Sequence, residues 1–405
     1  MSLLSGRGLL TRLARYPEAG AALGFAAVFA IFAVAAHDTF LTANSFSSIL
    51  TSQSVPGIAA IGITLLMISG EFDLSVGSIM GVASLVFLAA AVSGVPVPLA
   101  IGIGLGAGAL MGLVNGLLLV WTGIPSFIIT LGTLLVYRAI SLTAISGGRI
   151  IRWADFSREN PLLTPPASLL LAAALLLAAL LAWISASGWR QATTTGRRVL
   201  PGIGLLAAAT LATLSLLELG PRLFGDQNLI EIDLFYLLNG RLRLGELGGN
   251  FRVSILWWLG LAVLFSLVLT RTRFGNALAA TGGNAAAARA QGIDIDRVRV
   301  IGFTLSGLLA ALAGIVQTAR LKSVDPLRGE GLELEVIAAV VIGGTLLKGG
   351  YGSVIDSVIG TSLTGMLRTG LVLVGVPANA FRGAIGALVI VAVVINSLVR
   401  RERDN

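Results

Sequence analysis

Glu71 and Asp73 stand two residues apart in GEFDLSVGS, Gly70 to Ser78, a polar break in an otherwise apolar stretch. Carboxylates carried inside or at the rim of a membrane are costly unless they face protein or water. Such a pair is therefore either a site for a cation or proton, or a brace that holds a broken helix around a solute path. Asp73 itself has two local readings. It accepts hydrogen bonds from the amides of Ser75 and Val76 beside that path, or it is a solvated cap at the start of the next span. Other chemistry is sparse. With no cysteine and one histidine, His37, thiolate sites and a histidine-rich metal site are excluded. GGTLLKGG, from Gly343 to Gly350, has the wrong order for a phosphate loop, and neither an H-E-x-x-H pair nor a nucleophile elbow occurs.

The elements that must position these residues are membrane spans. Of 405 residues 56% are hydrophobic and 12% charged, about half the charge of a soluble domain. The chain is expected to be an all-α polytopic membrane protein with about 10–12 transmembrane helices, glycine-broken segments included. It forms a single transmembrane domain over residues 1–405, with an extra-span insertion at 146–252. The net charge of +8 does not point to nucleic acid, because the basic residues gather at span ends. Arg7, Arg12 and Arg15 precede the apolar run Ala19 to Ala36, which reads as a retained first helix. Placing them and the tail Arg400, Arg401 and Arg403 inside puts both termini in the cytoplasm of a multi-pass protein of the plasma (inner) membrane. Arg149, Arg152 and Arg158 then fall outside, against the usual sorting rule.

Two stretches carry geometric signals. Gly104, Gly108, Gly112 and Gly116 recur every four residues and strip one helix face of side chains, so another backbone can approach, from this chain or a second copy. Between residues 271 and 299, Asn284 is a good N-cap, Ala285 to Ala290 a strong helix former, and Gly292 a left-handed stop. From the residues alone this basic segment is more often a connecting loop than a docking element. The regions around Ile58 and Ile337 echo each other, I-A-A, T-L-L, glycine, S-V. Paired glycine-interrupted segments point to a central solute path, although single glycines more often serve packing.

Three of these stretches resemble the permease subunits of sugar-importing ABC transporters, the ribose and xylose permease family. Gly282, Asn284, Ala287, Ala288, Gly292 and Ile293 are similar to that family's cytoplasmic coupling loop. GEFDLSVGS resembles its G-x-x-D-L-S-V-G-S signature, and GLELEVIAAVVIGGTLLKGGYGSV its late A-I-A-A-V-V-I-G-G-T motif, departing from it at Leu346, Leu347 and Lys348. The likeness covers Ser45 to Gly147 and Phe251 to Ser397.

The resemblance implies a permease, not an enzyme, that holds no cofactor; ATP and magnesium are used by a partner ATP-binding subunit. It implies that the 271–299 loop docks on that subunit. Glu71, Asp73, Ser75, Gly77, Gly343, Gly344 and Thr345 are expected to line or support the path of a monosaccharide. Its implied partners are an extracytoplasmic sugar-binding protein, a second permease copy and membrane lipid. The competing reading is an ion-coupled secondary transporter of a small polar solute, with Glu71 and Asp73 as its ion site. Arg138, Arg368 and Arg382 lie in apolar runs and need carboxylates or an interface.

Overall fold

A computed structural model describes residues 17–157, 159–191, 199–221, 229–242, 248–377, 380–381, 383–388 and 390. The terminal arginines, Arg158, Arg197, Arg198, Arg382 and most of the expected last span, Asn379 to Val399, lie outside the described residues. Those described divide into two compact units, one of Met1–Glu159 with Leu238–Asn405, the other of Asn160–Leu237.

The first unit begins with α1 Pro17–Ala35, α2 Ala43–Ile68, α3 Val76–Val92, α4 Val97–Thr122 and α5 Ser126–Ala144, followed by the two-residue strand β1 Ile151–Arg152. In the second unit β2 Leu162–Leu163 pairs antiparallel with β3 Ile232–Asp233, and α6 Ala167–Gln191 packs along α7 Val199–Leu219. The first unit resumes with α8 Val253–Arg271, α9 Arg273–Gly283, α10 Ala285–Ala290 and α11 Ile295–Leu321. It continues through β4 Ser323–Val324, antiparallel to β1, into α12 Leu332–Gly343 and α13 Val354–Leu373. The chain is thus nearly all-α. Among the described residues, α2, α4, α5, α8 and α11 are long and apolar enough to cross a bilayer, and shorter apolar helices lie at α1, α3, α6 and α7. Helices dominate because a segment in hydrocarbon must satisfy its own amides.

Burial sorts them. From Val55 to Ile68 α2 is enclosed, packed by α8, α11, α12 and α13. Helix α5 instead turns Phe127, Ile128, Leu131, Leu135 and Val136 outward, an apolar face suited to hydrocarbon. Pro56 lies within α2 without ending it, and the neighbouring Gly57 leaves room for the fully buried Trp258 ring, which a Cβ there would overlap. Hydropathy places the span after the basic segment at Val300 to Thr318. The helix begins five residues earlier because Asp294 accepts a hydrogen bond from the Arg297 amide at 3.0 Å, so Arg297 and Arg299 belong to α11 itself.

The glycine seam finds its partner within this chain. A Cβ on Gly108 would meet Ala311 and the Gly307 carbonyl, one on Gly112 the Phe303 carbonyl, and one on Gly116 the Val300 Cα at 2.8 Å. A Cβ on Gly104 would stand 2.9 Å from Phe87 Cβ of α3. Helices α4 and α11 therefore touch backbone to backbone, and α11 becomes the fixed post against which α2 and α3 also pack.

Candidate functional site

Thr272 caps α9 by accepting a hydrogen bond from the Gly275 amide at 3.2 Å. Helix α9 ends at Asn284, whose extended backbone turns the chain and whose side chain accepts from the Ala287 amide at 3.0 Å, starting α10. The Gly292 amide donates to the Arg289 carbonyl at 3.0 Å and the Ile293 amide to the Ala288 carbonyl at 3.1 Å, with Gly292 at φ 83°. This is the paired closure that satisfies the last carbonyls of a helix. Asn284, Gly292 and Ile293 thus build the ends of α10. Ala288 is buried and pins it, while Ala286, Ala287, Arg289 and Ala290 are exposed. The sequence reading found α10 but not α9, whose RFGNALAATGG has three glycines and weak helix propensity.

Gly282, at the end of α9, lies against the last turn of α2. A Cβ there would overlap the Ile68 carbonyl and stand 2.6 Å from the Gly350 nitrogen. The Gly350 amide donates to that same Ile68 carbonyl at 2.9 Å. A Cβ on Gly349 would lie 2.7 Å from Gly70 Cα and 3.1 Å from Gly282 Cα, and one on Gly350 2.8 Å from Gly283 Cα. Gly70, Gly349 and Gly350 all have positive φ. Three backbones converge here without side chains between them: the break after α2, the break after α12, and the entry to α10.

The break after α2 is braced by polar groups. Glu71, 6% exposed, pairs with Arg299 in the first turns of α11 at 2.7 Å. Asp73 is fully buried; it accepts from the Ser75 amide at 2.9 Å, from Ser75 Oγ at 2.6 Å and from Ser306 Oγ of α11 at 3.0 Å. The third donor is thus Ser306, where the sequence reading had placed the Val76 amide. Asn115 of the glycine-seam helix donates to Ser75 Oγ at 2.8 Å, and Tyr137 of α5 donates toward Asn115 Oδ1 at 3.3 Å. The carboxylate therefore ties α3, α4, α5 and α11 together and is not a solvated cap. Buried carboxylates survive when such donors surround them.

Helices α3 and α12 meet near their first turns. A Cβ on Gly77, in the first turn of α3, would overlap the Gly329 carbonyl and the Glu333 carboxylate at the start of α12. At 12 residues, α12 is about 18 Å long, a little over half of the roughly 30 Å hydrocarbon core. It ends at Gly344, φ 116°, with Gly343 against the Asp356 carbonyl and Thr345 buried beside Gly352.

Of the expected path residues, Asp73 and Ser75 share the polar knot, Glu71 joins Arg299, Gly77 meets α12, and Gly343, Gly344 and Thr345 form the α12 break. None of them lines the cavity described next. A cavity of about 230 Å³ lies at the opposite end of α11 from α10, with Gln317, Arg320, Glu335 and Arg368 in its wall. Arg368 Nη2 donates to both Glu335 oxygens at 3.0 Å, and Arg138 Nη1 donates to the Leu327 carbonyl at 3.3 Å. Gln317 and Glu335 escape sequence reading because nothing in the sequence shows that α11, α12 and α13 bring them to one cavity. No group of three His, Cys, Asp or Glu is placed to hold a metal ion among the described residues.

Comparison with known proteins gives a consistent result. The family described as branched-chain amino acid transport system / permease component matches residues 45–394. The chain is 33% identical over 378 residues to the xylose transport system permease protein XylH of Escherichia coli K12, covering 93% of this chain and 90% of that one. It is 29% identical over 359 residues to the ribose import permease protein RbsC of the same strain, covering 88% and 86%. Over 156 residues, 38% of this chain and 47% of the relative, it is 44% identical to the probable ABC transporter permease protein YphD. No solved structure matches.

Proposed function

The chain belongs to this family of transport-system permease components, and from that premise we propose that it is the membrane-spanning subunit of an ATP-driven importer of a monosaccharide. As a permease it works with an ATP-binding subunit and a substrate-binding protein. The relatives named for xylose and ribose support a pentose as its solute. In this reading the whole chain is one permease domain. Residues 146–252 are an insertion within it, which the compact unit Asn160–Leu237 supports. Two copies form the pore, lipid surrounds the outward apolar faces, and both termini and the 271–299 loop are cytoplasmic.

The exposed α10 docks in a cleft of the ATP-binding subunit, which supplies the nucleotide chemistry and the magnesium. One observation carries the mechanism: the entry to α10 touches both helix breaks at the glycine junction of Gly70, Gly282 and Gly349. A push on α10 then needs no intermediary to reach α2 and α12. Because packed backbones are bistable and do not deform continuously, a small displacement there exchanges one arrangement of the breaks for another. Solute released at the other face passes along α3 and the short helix α12. The ion-coupled alternative loses its site, since Glu71 is paired with Arg299 and Asp73 is saturated by protein donors.

Proteoliposomes holding the permease, its ATP-binding subunit and the substrate-binding protein test this reading. Uptake of labelled D-xylose or D-ribose is expected only with internal or external ATP on the side of the ATP-binding subunit. Uptake by the permease alone, driven by a sodium or proton gradient, would overturn it.

A further inference from the structure

The cavity at the end of α11 remote from α10 is walled by α2, α3, α11, α12 and α13 and by the turn before α12. Its charged side chains balance: Arg320 and Arg368 against Glu330 and Glu335. A balanced wall does not draw a net anion or cation, yet it offers strong donors and acceptors, since hydrogen bonds to charged groups exceed neutral ones. The Arg368 guanidinium is held in place on two sides, by both oxygens of Glu335 and by the Phe381 ring 4.3 Å from its carbon. Gln317 lines the same cavity, and its Oε1 is buried and accepts no hydrogen bond among the described residues. A desolvated acceptor without a donor is costly, and a site of this kind is completed by a ligand that brings the donor. Val55, Pro56 and Leu332 supply apolar wall. The volume, about 230 Å³, is below the roughly 300–1,000 Å³ of pockets for larger ligands and suits one small ring.

We propose that this cavity is a sugar-reading site within the permease, where Gln317 Oε1 accepts a hydrogen bond from one ring hydroxyl and the Glu335–Arg368 pair engages others. The solute class is a neutral polyhydroxylated ring. The inference rests on the importer reading, because it assigns this end of α11 to the face where solute arrives. Its consequence is that selectivity is shared between the substrate-binding protein and the permease.

The test is a cycle of protein and substrate in proteoliposomes containing the complete transporter with ATP. Uptake efficiencies of D-xylose, D-ribose and their monodeoxy analogues are measured for the wild type and for Gln317→Leu. The preference of the substrate-binding protein is the same in both arms and cancels. At one hydroxyl position the wild type is expected to lose roughly tenfold on deoxygenation, the scale of one hydrogen bond with its partner desolvated. The Gln317→Leu transporter is expected to lose roughly tenfold on the parent sugar and nothing further on that analogue. Losses that simply multiply at every position would overturn the site. Should Gln317→Leu not assemble, Gln317→Met, closer in shape, enters the same cycle. A wild-type complex that imports none of these sugars would overturn the functional reading instead, so the two failures are distinguishable.

Discussion

Gly282→Ala tests the junction with one methyl group. The new Cβ would overlap the Ile68 carbonyl and approach the Gly350 nitrogen at 2.6 Å and the Ile68 carbonyl carbon at 3.0 Å, all backbone atoms that no rotamer can move. The hydrogen bond from the Gly350 amide to the Ile68 carbonyl, 2.9 Å long, would open, leaving the buried carbonyl without its donor at about 1–3 kcal/mol. Overpacking adds about 1–3 kcal/mol. A penalty of about 2–6 kcal/mol falls on the joined arrangement alone, so the breaks separate from α9 and the stroke of α10 is lost. Solute imported per ATP hydrolysed is expected to fall at least tenfold while the subunits remain assembled. Gly283→Ala is the built-in comparison, because its Cβ meets only Gly350 Cα at 3.9 Å, an ordinary contact. The ratio of uptake to phosphate release in reconstituted transporters is the readout. The reasoning fails if Gly282→Ala keeps the wild-type ratio, or if both variants lose it equally.

Three further outcomes are expected. Arg299→Leu leaves the buried Glu71 unpaired and should cost about 3 kcal/mol, the low end for such pairs because Arg299 is 29% exposed; adding Glu71→Gln should recover most of it in thermal melts of the purified protein. Asp73→Ala strands three buried donor groups, roughly 3–9 kcal/mol in total, and should abolish assembly, whereas Asp73→Asn retains acceptor capacity and should give a monodisperse chromatographic peak. On α4, Gly112→Ala should destabilise by about 1–3 kcal/mol against the Phe303 carbonyl, while Gly106→Ala, with nothing within 4 Å, should be neutral or stabilising by up to about 1 kcal/mol.

Local rules made α10 legible, because Asn284 and Gly292 act on amides within a few residues of themselves. The four-residue glycine spacing likewise announced a close approach. Its partner was not legible: that Gly307 on α11 answers Gly108 depends on packing across some two hundred residues. Helix α9 was missed because its composition argues against a helix and tertiary burial of Leu278 and Thr281 decides for one. Glu71 and Asp73 were visible as anomalies, yet their partners Arg299 and Ser306 were not, since nothing in sequence separates a span-end arginine from a paired one. The cavity groups stayed hidden for the same reason, since nothing in sequence shows that α11, α12 and α13 bring Gln317, Arg320, Glu335 and Arg368 together.

The central claim is that an ATP-binding subunit works this chain through α10. A unique thiol can report on that surface, because the chain has no cysteine. Ala286→Cys sits on the exposed face of α10 and can be challenged with a membrane-impermeant maleimide in vesicles of either orientation. The account predicts labelling only in inside-out vesicles, and protection once the ATP-binding subunit is bound. Labelling in right-side-out vesicles, or undiminished labelling with that subunit bound, would contradict it.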